Sequence, residues 1–293
     1  MEYTSEIEQM KEQGLQKMSE SSVVICSIVR DCGKRLTVNI PIIERLRSQF
    51  NESAVVVVEN DSIDDTKAVL ENWKTQANDV HILGEDTKQV TIPVKKKDGV
   101  NPFYSRHRIE KMSRFRNMYM DYLDSLQRQF DYMIVIDLDI NHFSFEGIVH
   151  SFGQDISWDA LVSNGTKFLY KRCKKVFHDT YALRESGDER PMTENIIEGN
   201  RTKWNFLKKH HPLIPVASGF NGLAIYKYES VKGCSYQALD NNDPQVQVLC
   251  EHVAFHQQMA QKGHGNIYIN PCLVTKYRED IVKELFSYFK KKS

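Results

Sequence analysis

Two stretches of this chain are apolar at every consecutive position: Ala54-Val55-Val56-Val57-Val58 and Tyr132-Met133-Ile134-Val135-Ile136. A strand with one wet face alternates polar and apolar residues, whereas an unbroken β-branched run buries both faces, as central strands of helix-covered parallel sheets do. Residues 22–28 and 80–83 read as further strands of the same kind. Between them, 34–50 and 64–73 switch to helical spacing; Leu36, Ile40, Ile43, Leu46 and Phe50 share one face of the first. Pro41 is expected to kink or restart that helix. Up to residue 85 the order is strand–helix–strand–helix–strand, the opening of a parallel α/β sheet.

The remaining pattern extends this plan. Residues 1–20 suit a short amphipathic helix, 85–104 a polar loop carrying Lys95-Lys96-Lys97, and 105–129 a long helix delivering the chain to the second apolar run. Residues 160–163, 216–226 and 267–269 read as strands, 245–261 and 280–291 as helices, and the Gly-, Pro- and charge-rich 184–211 as a long flexible insertion. No Gly/Ser or Pro-rich linker divides the chain. One domain over 1–293 is expected: an N-terminal helix (1–20), a first half (21–142), a second half (143–278) and a C-terminal helix (279–293).

Composition narrows the partners. Lys+Arg and Asp+Glu both number 39, and a chain relying on bulk attraction to nucleic acid would be basic, so no nucleic acid partner is expected. The six cysteines (Cys26, Cys32, Cys173, Cys234, Cys250, Cys272) show neither C-x-x-C nor zinc spacing and read as reduced, buried thiols. The charged first 20 residues are unlike a signal peptide, and no apolar run approaches a membrane span, so a soluble, cytoplasmic protein is expected. Ile281, Val282, Leu285, Phe286 and Phe289, followed by Lys290-Lys291-Lys292, suit a helix packed on the domain; contact with a membrane surface is its second possible use.

The second apolar run ends in Asp137-Leu138-Asp139. In open α/β sheets, ligands bind beyond the carboxyl ends of the strands, and residues i and i+2 of an extended segment face the same side. Two carboxylates so placed repel one another unless a cation intervenes. Mg²⁺ or Mn²⁺ does this with oxygen ligands, held by one or two carboxylates plus substrate phosphates. An isolated Asp-x-Asp is more often a pair of surface acids; position at the end of a buried strand is what distinguishes this one.

Other residues gather at the same expected edge. Glu59 and Asp61 lie where a strand meets Glu59-Asn60-Asp61-Ser62-Ile63-Asp64-Asp65-Thr66. They are placed to accept hydrogen bonds from a base or ribose, while Ser62 or Asp64 suits capping of the helix that follows. Arg30, just after the first strand, and Arg116, within Arg114-Phe115-Arg116-Asn117, offer planar guanidinium forks suited to a diphosphate. Ser218-Gly219-Phe220-Asn221-Gly222 breaks an apolar strand with two glycines, a sign of close approach by a ligand or backbone.

In this order the turn after the second strand, the Arg-Asn helix and the Asp-x-Asp strand resemble the nucleotide-binding half of GT-A glycosyltransferases. With Val29-Arg30-Asp31-Cys32-Gly33, Ser218 to Gly222 and Cys250-Glu251-His252, the chain is similar to the cryptococcal capsule-associated mannosyltransferase family over roughly residues 21–275. The resemblance implies a Rossmann-like α/β fold, with a mixed, mainly parallel sheet flanked by helices. It implies a nucleoside diphosphate sugar donor, a glycan acceptor and Mn²⁺ or Mg²⁺ on Asp139 and Asp137. It also implies donor contacts from Arg30, Glu59, Asp61, Arg116, Gly219 and Asn221. Glu251 is the expected base or sugar-orienting acid, with Asp240 or Asp243 behind it. His264, in a Gly-His-Gly turn, or His256 is the expected third metal ligand. A nucleotidyltransferase and an inactive sugar-binding α/β protein are the rival readings; the first usually has a Gly-rich phosphate loop, and 29–33 holds one glycine.

Overall fold

A computed structural model describes residues 2–88, 101–126, 128–169 and 174–278. Lys95-Lys96-Lys97, Cys173 and the helix expected over 280–291 lie outside the described residues. Helix α1 (Glu2–Ser19) leads into β1 (Ser22–Val29), α2 (Gly33–Arg47), β2 (Glu52–Glu59), α3 (Thr66–Gln76) and β3 (Val80–Gly84). Helix α4 (Arg106–Ser125) then delivers the chain to β4 (Tyr132–Ile136), β5 (His142–Phe143), α5 (Phe145–Phe152) and β6 (Ala160–Leu169). The second half adds β7 (Lys174–Phe177), β8 (Arg184–Glu185), α6 (Glu194–Lys203), β9 (Ile214–Ser218) and β10 (Leu223–Lys227), then α7 (Tyr228–Val231), α8 (Glu251–Gln261) and β11 (Ile267–Arg278).

Sheet order among the described residues is β3-β2-β1-β4-β10-β6-β11-β9-β8. Strands β1 to β4 are mutually parallel, β10 runs against β4 and β6, and β11 is parallel to β6. The sheet is therefore mixed and mostly parallel, with helices on both faces. The apolar runs divide by parity. Val55, Val57 and Ile134 join Leu36, Ile43, Trp73 and Phe152 on one face; Val56, Val58 and Val135 join Phe115, Tyr119 and Phe255 on the other. Each such side chain contributes roughly 1.5–3 kcal/mol when fully buried. That explains why these strands carry no polar position at all.

Several expectations need correction. Helix α2 runs unbroken through Pro41. Pro41 and Thr37, whose carbonyl loses its usual partner, both face solvent, so water replaces that bond while Leu36 and Ile43 hold the inner face. The segment 184–211 is no flexible insertion. It forms β8, α6 and a 3₁₀ turn, anchored by buried Met192, Ile197 and Trp204. Helix α8 starts at Glu251 rather than 245, because the Asp243 carboxylate accepts from the Gln245 and Val246 amides and closes a separate turn. The strand expected over 216–226 is two strands, β9 and β10, separated at Gly219 to Gly222.

β11 carries a further irregularity. Asn270 pairs with Ser163 but Val274 pairs with Asn164, so residues 271–273 bulge out of the ladder. Beyond the bulge Lys276 lies opposite Thr166 and Tyr277 opposite Lys167, while β5 sets His142 beside Lys276. No helix among the described residues is long and apolar enough to cross a membrane.

Helix α1 packs on α5 through backbone contact. A Cβ on Gly14 would lie 2.0 Å from the Val149 carbonyl oxygen, and one on Gly153 would lie 1.8 Å from that of Met10. Gly14→Ala and Gly153→Ala are each expected to lower stability by about 1–3 kcal/mol in urea unfolding, through overpacking. Gly199→Ala in α6, with nothing within 4 Å of the added Cβ, is expected to gain up to ~1 kcal/mol from helix propensity.

Candidate active site

The loops after β1, β2 and β4 meet at one sheet edge. The acids after β2 bolt two of them together. Glu59 Oε1 accepts from the Ser62 amide (2.8 Å), Asp64 from the Gly33 amide (3.1 Å) and the Thr66 amide (3.0 Å). Asp31 accepts from the Ile63 amide at 2.8 Å, and Thr66 Oγ1 from the Cys32 amide at 2.8 Å. Asp31 and Asp61 sit at φ 47° and 52°, a left-handed conformation that aspartate tolerates better than most residues. Burial alone would raise the Asp61 carboxyl. Bonds from Thr87, Asn60, the Lys88 amide and Lys111 instead hold it well below the usual carboxylate range.

The Asp-x-Asp segment is a turn rather than an extended strand end, with the Ile140 amide reaching back to the Asp137 carbonyl (3.4 Å). Buried Asn39 on α2 fixes it, its side-chain amide donating to the Leu138 (2.8 Å) and Ile140 (2.9 Å) carbonyls. The Asp137 amide donates to Gly222 at 2.9 Å. Asp139 lies toward the start of α2, where, after burial, its charge helps push the Cys32 thiol up to about 12. Asp139 is itself raised to about 6, first by desolvation of its carboxyl and then by the charge of Asp137, although the residue as a whole is exposed.

Asp137 faces a cavity of about 580 Å³ walled by α4, α6 and the start of α8. Arg116, 2% exposed, crosses that wall: Nε donates to Glu251 Oε1 at 3.1 Å and Nη2 lies 3.6 Å from Asp137 Oδ1. Its Nη1 has no hydrogen-bond partner among the described residues. Glu251, 4% exposed, also accepts from the Cys250 thiol at 3.4 Å. Tyr277 donates to Asp137 Oδ2 at 3.1 Å and stacks on His178 at 3.7 Å between centroids. His178 is pushed down to about 3 by burial, then by Lys167 and Arg201, so it is neutral. Asp179 is raised to about 6 by desolvation, and accepts only from the Ala182 and Asn221 amides, each at 3.3 Å.

The break between β9 and β10 supports this arrangement. Asn221 (φ 57°) and Gly222 (φ 82°) are both left-handed and reverse the chain. A Cβ on Gly222 would sit 1.9 Å from the Tyr277 hydroxyl, so only glycine lets Tyr277 reach Asp137. The Asn221 side chain is fully used, donating to the Ser163 carbonyl (2.9 Å) and accepting from the Asp179 amide (2.9 Å). A Cβ on Gly219 would lie 3.0 Å from Val162.

Of the residues singled out from sequence, Asp137, Arg116 and Glu251 are thus brought together in one cavity. Glu59, Asp61 and Asn221 spend their side chains within the protein, and Arg30 lies 3.5 Å from Asp31. His264, the expected third metal ligand, does not join Asp137. It precedes β11, which starts level with the first residue of β6, at the edge opposite Asp137, and its Nδ1 lies 3.4 Å from Asp159. His256 is buried between Ser218 and Tyr226. Asp240 pairs with Arg106, Asp243 caps its own turn and Arg114 pairs with Glu85. Sequence reasoning missed Asn39, Asp179 and Tyr277. Only Asn39 left a signal, as a lone amide on the apolar face of a helix.

A mixed α/β sheet with an acid pair at its carboxyl edge and a buried arginine behind it has the layout of a glycosyltransferase. The family model described as Cryptococcal mannosyltransferase 1 matches residues 24–268, and the chain belongs to that family. No curated protein matches the sequence. Several solved structures resemble it at a distance. The mannosyltransferase PcManGT from Pyrobaculum calidifontis, solved with GDP-Man and Mn²⁺, is 12% identical at a TM-score of 0.44, over 89% of this chain and 57% of that one. TarS from S. aureus is 12% identical at 0.44 (88% and 60%). Glucosyl-3-phosphoglycerate synthase from Mycobacterium tuberculosis, solved with Mn²⁺, UDP and phosphoglyceric acid, is 13% identical at 0.47 (94% and 77%). The chain thus spans little more than half the length of the first two.

The raised Asp139 has a stability consequence. Between pH 3.8 and about 6 the unfolded chain gives up this proton while the folded chain keeps it, so the penalty is complete only above about 6. Asp139→Asn is expected to be more stable than wild type at pH 7.5, by on the order of 1 kcal/mol after solvent screening, with no gain at pH 3.5. Thermal melts at the two pH values check this.

Proposed function

We propose that the chain transfers a hexose from a nucleoside diphosphate sugar to a glycan hydroxyl, with mannose the sugar suggested by the family's description. The observation that carries this reading is the buried Arg116, whose Nη2 lies beside Asp137 at the wall of a cavity large enough for a sugar. A buried donor of this kind suits an anion that arrives with the ligand.

The residues present fit a divalent cation. Asp137 and Asp139 are a like-charged pair, each raised by desolvation first; the Asp137 charge lifts Asp139 further. No cluster of three His, Cys, Asp or Glu that could hold a metal occurs among the described residues, which leaves the remaining positions to water and donor phosphates, as Mg²⁺ and Mn²⁺ favour. When bound, such an ion would neutralise charge on the diphosphate.

The reaction breaks the bond from the anomeric carbon to the diphosphate and forms one to the acceptor oxygen, whose proton must leave. Arg116 faces the growing negative charge of the leaving group. Glu251, held by Arg116, orients the sugar. Asp179 in the same cavity takes the proton, since its carboxyl is engaged only by two backbone amides. Glu59, Asp61, Asp64 and Asp31 hold the nucleotide side of the edge in shape.

A thermal-shift series with UDP-, GDP- and CMP-sugars is expected to show one class that raises Tm in the presence of Mn²⁺. Asp137→Asn should lose the Mn²⁺-dependent part, and the reading fails if no nucleotide sugar stabilises the protein or the variant responds like wild type. Arg116→Lys is expected to lower kcat by about 10²-fold. Donor hydrolysis to the nucleoside diphosphate and free sugar separates a transferase from a binder or a nucleotidyltransferase. Its rate should rise through about pH 6 in wild type, a limb to which Asp139 also contributes, and be lower across that range in Asp179→Asn.

A further inference from the structure

A second cavity, of about 570 Å³, opens next to the first and shares Lys167 and Tyr277 with it. Its described lining is basic: Lys175 and Lys276 join Lys167, with His142 beside them, and no acid is among the described residues that line it. The register explains the grouping. Lys276 on β11 lies opposite both His142 on β5 and Thr166 on β6, so all three project from one face of the sheet. Phe168, two residues beyond Thr166 on that face, lies opposite Lys175 on β7 and keeps 37% of its surface exposed. Lys175 and Lys276 form no ion pair among those found between described residues. The field is felt locally: His142 is pushed down by partial burial, then by Lys276 and Lys209.

Lys175 and Lys276 stand without counter-charges among the described residues, which costs stability, and an incoming anion relieves that cost. An exposed aromatic ring beside them offers an apolar surface to the C–H face of a sugar. The two cavities meet at Tyr277, whose hydroxyl holds Asp137, so a ligand in the second cavity is continuous with the reacting end of the donor. We propose that this groove is the acceptor subsite, and that it takes a saccharide bearing a phosphate or a carboxylate. The proposal rests on the glycosyltransferase reading above.

The test is ligand-detected NMR titration of the protein with glucose 6-phosphate, glucuronic acid and neutral glucose. UDP and GDP binding with Mn²⁺ is measured in parallel. At least one anionic sugar is expected to bind, more weakly as salt is raised, with glucose far weaker; whichever of the two binds identifies the anion. Lys276→Gln is expected to weaken that binding about fivefold, and Lys175→Gln with Lys276→Gln further, while nucleotide affinity stays unchanged. The proposal is overturned if neither anionic sugar binds, if glucose binds equally well, or if the substitutions leave sugar binding intact. It is also overturned if nucleotide affinity falls by the same factor, which would make the groove part of the donor site. Loss of nucleotide binding in wild type, with the anionic sugar still bound, would sink the transferase reading and leave the anion site standing.

Discussion

A guanidinium taken out of water costs several kcal/mol unless carboxylates replace the solvent. Arg116 meets that cost with Glu251 at one side and Asp137 at the other. Those two acids belong to elements far apart in sequence, the start of α8 and the end of β4, and the arginine belongs to α4. One buried cation therefore ties the strand that ends in the acid pair to the helix walling the far side of the cavity. Because both partners are needed, loss of either leaves a buried charge exposed to the full desolvation penalty. Stability and site geometry are set here by the same three side chains.

Neutral polar residues do the finer positioning. Asn39 grips the two carbonyls flanking Asp139, and Asn221 bonds Ser163 and Asp179 at once. Each lies in the interior, and each fixes a loop that ordinary strand or helix bonding would leave loose. The acids after β2 act likewise on the loop after β1. Much of the charge at this edge thus shapes backbone rather than meeting ligand. The carboxyls left under electrostatic stress are Asp137, Asp139 and Asp179, all raised, whereas Asp61 and Asp64 are lowered. Stress of that kind is typical of sites that trade stability for chemistry.

The sheet was legible because its signal is local: five-residue apolar runs admit few alternatives, and β1 to β4 with their helices lie where periodicity places them. The acid pair, Arg116 and Glu251 were legible through motif order. Most of the rest depended on contacts across the sheet. Nothing local distinguishes Glu59 facing a ligand from Glu59 closing a turn. His264 looked free to reach a metal, yet the strand after it fixes the opposite edge. Asp179 and Tyr277 acquire meaning only through the reversal at Asn221 and Gly222, a tertiary event. The segment 184–211 was misread because its Gly and Pro content outweighed three well-spaced apolar anchors.

The bulge at 271–273 decides which way the last strand presents its side chains. Three residues is an odd number, so the excursion exchanges the two faces of β11 relative to β6. As a result Tyr277 stands level with Lys167, its hydroxyl on Asp137, while Lys276 turns to the cationic groove with His142 and Thr166. Slipping the pairing beyond the excursion by one residue would swap the two. An ammonium group would then occupy the place of the phenol beside Asp137, and the groove would receive an aromatic ring. The register beyond the excursion, rather than any residue within it, decides which of Tyr277 and Lys276 meets Asp137.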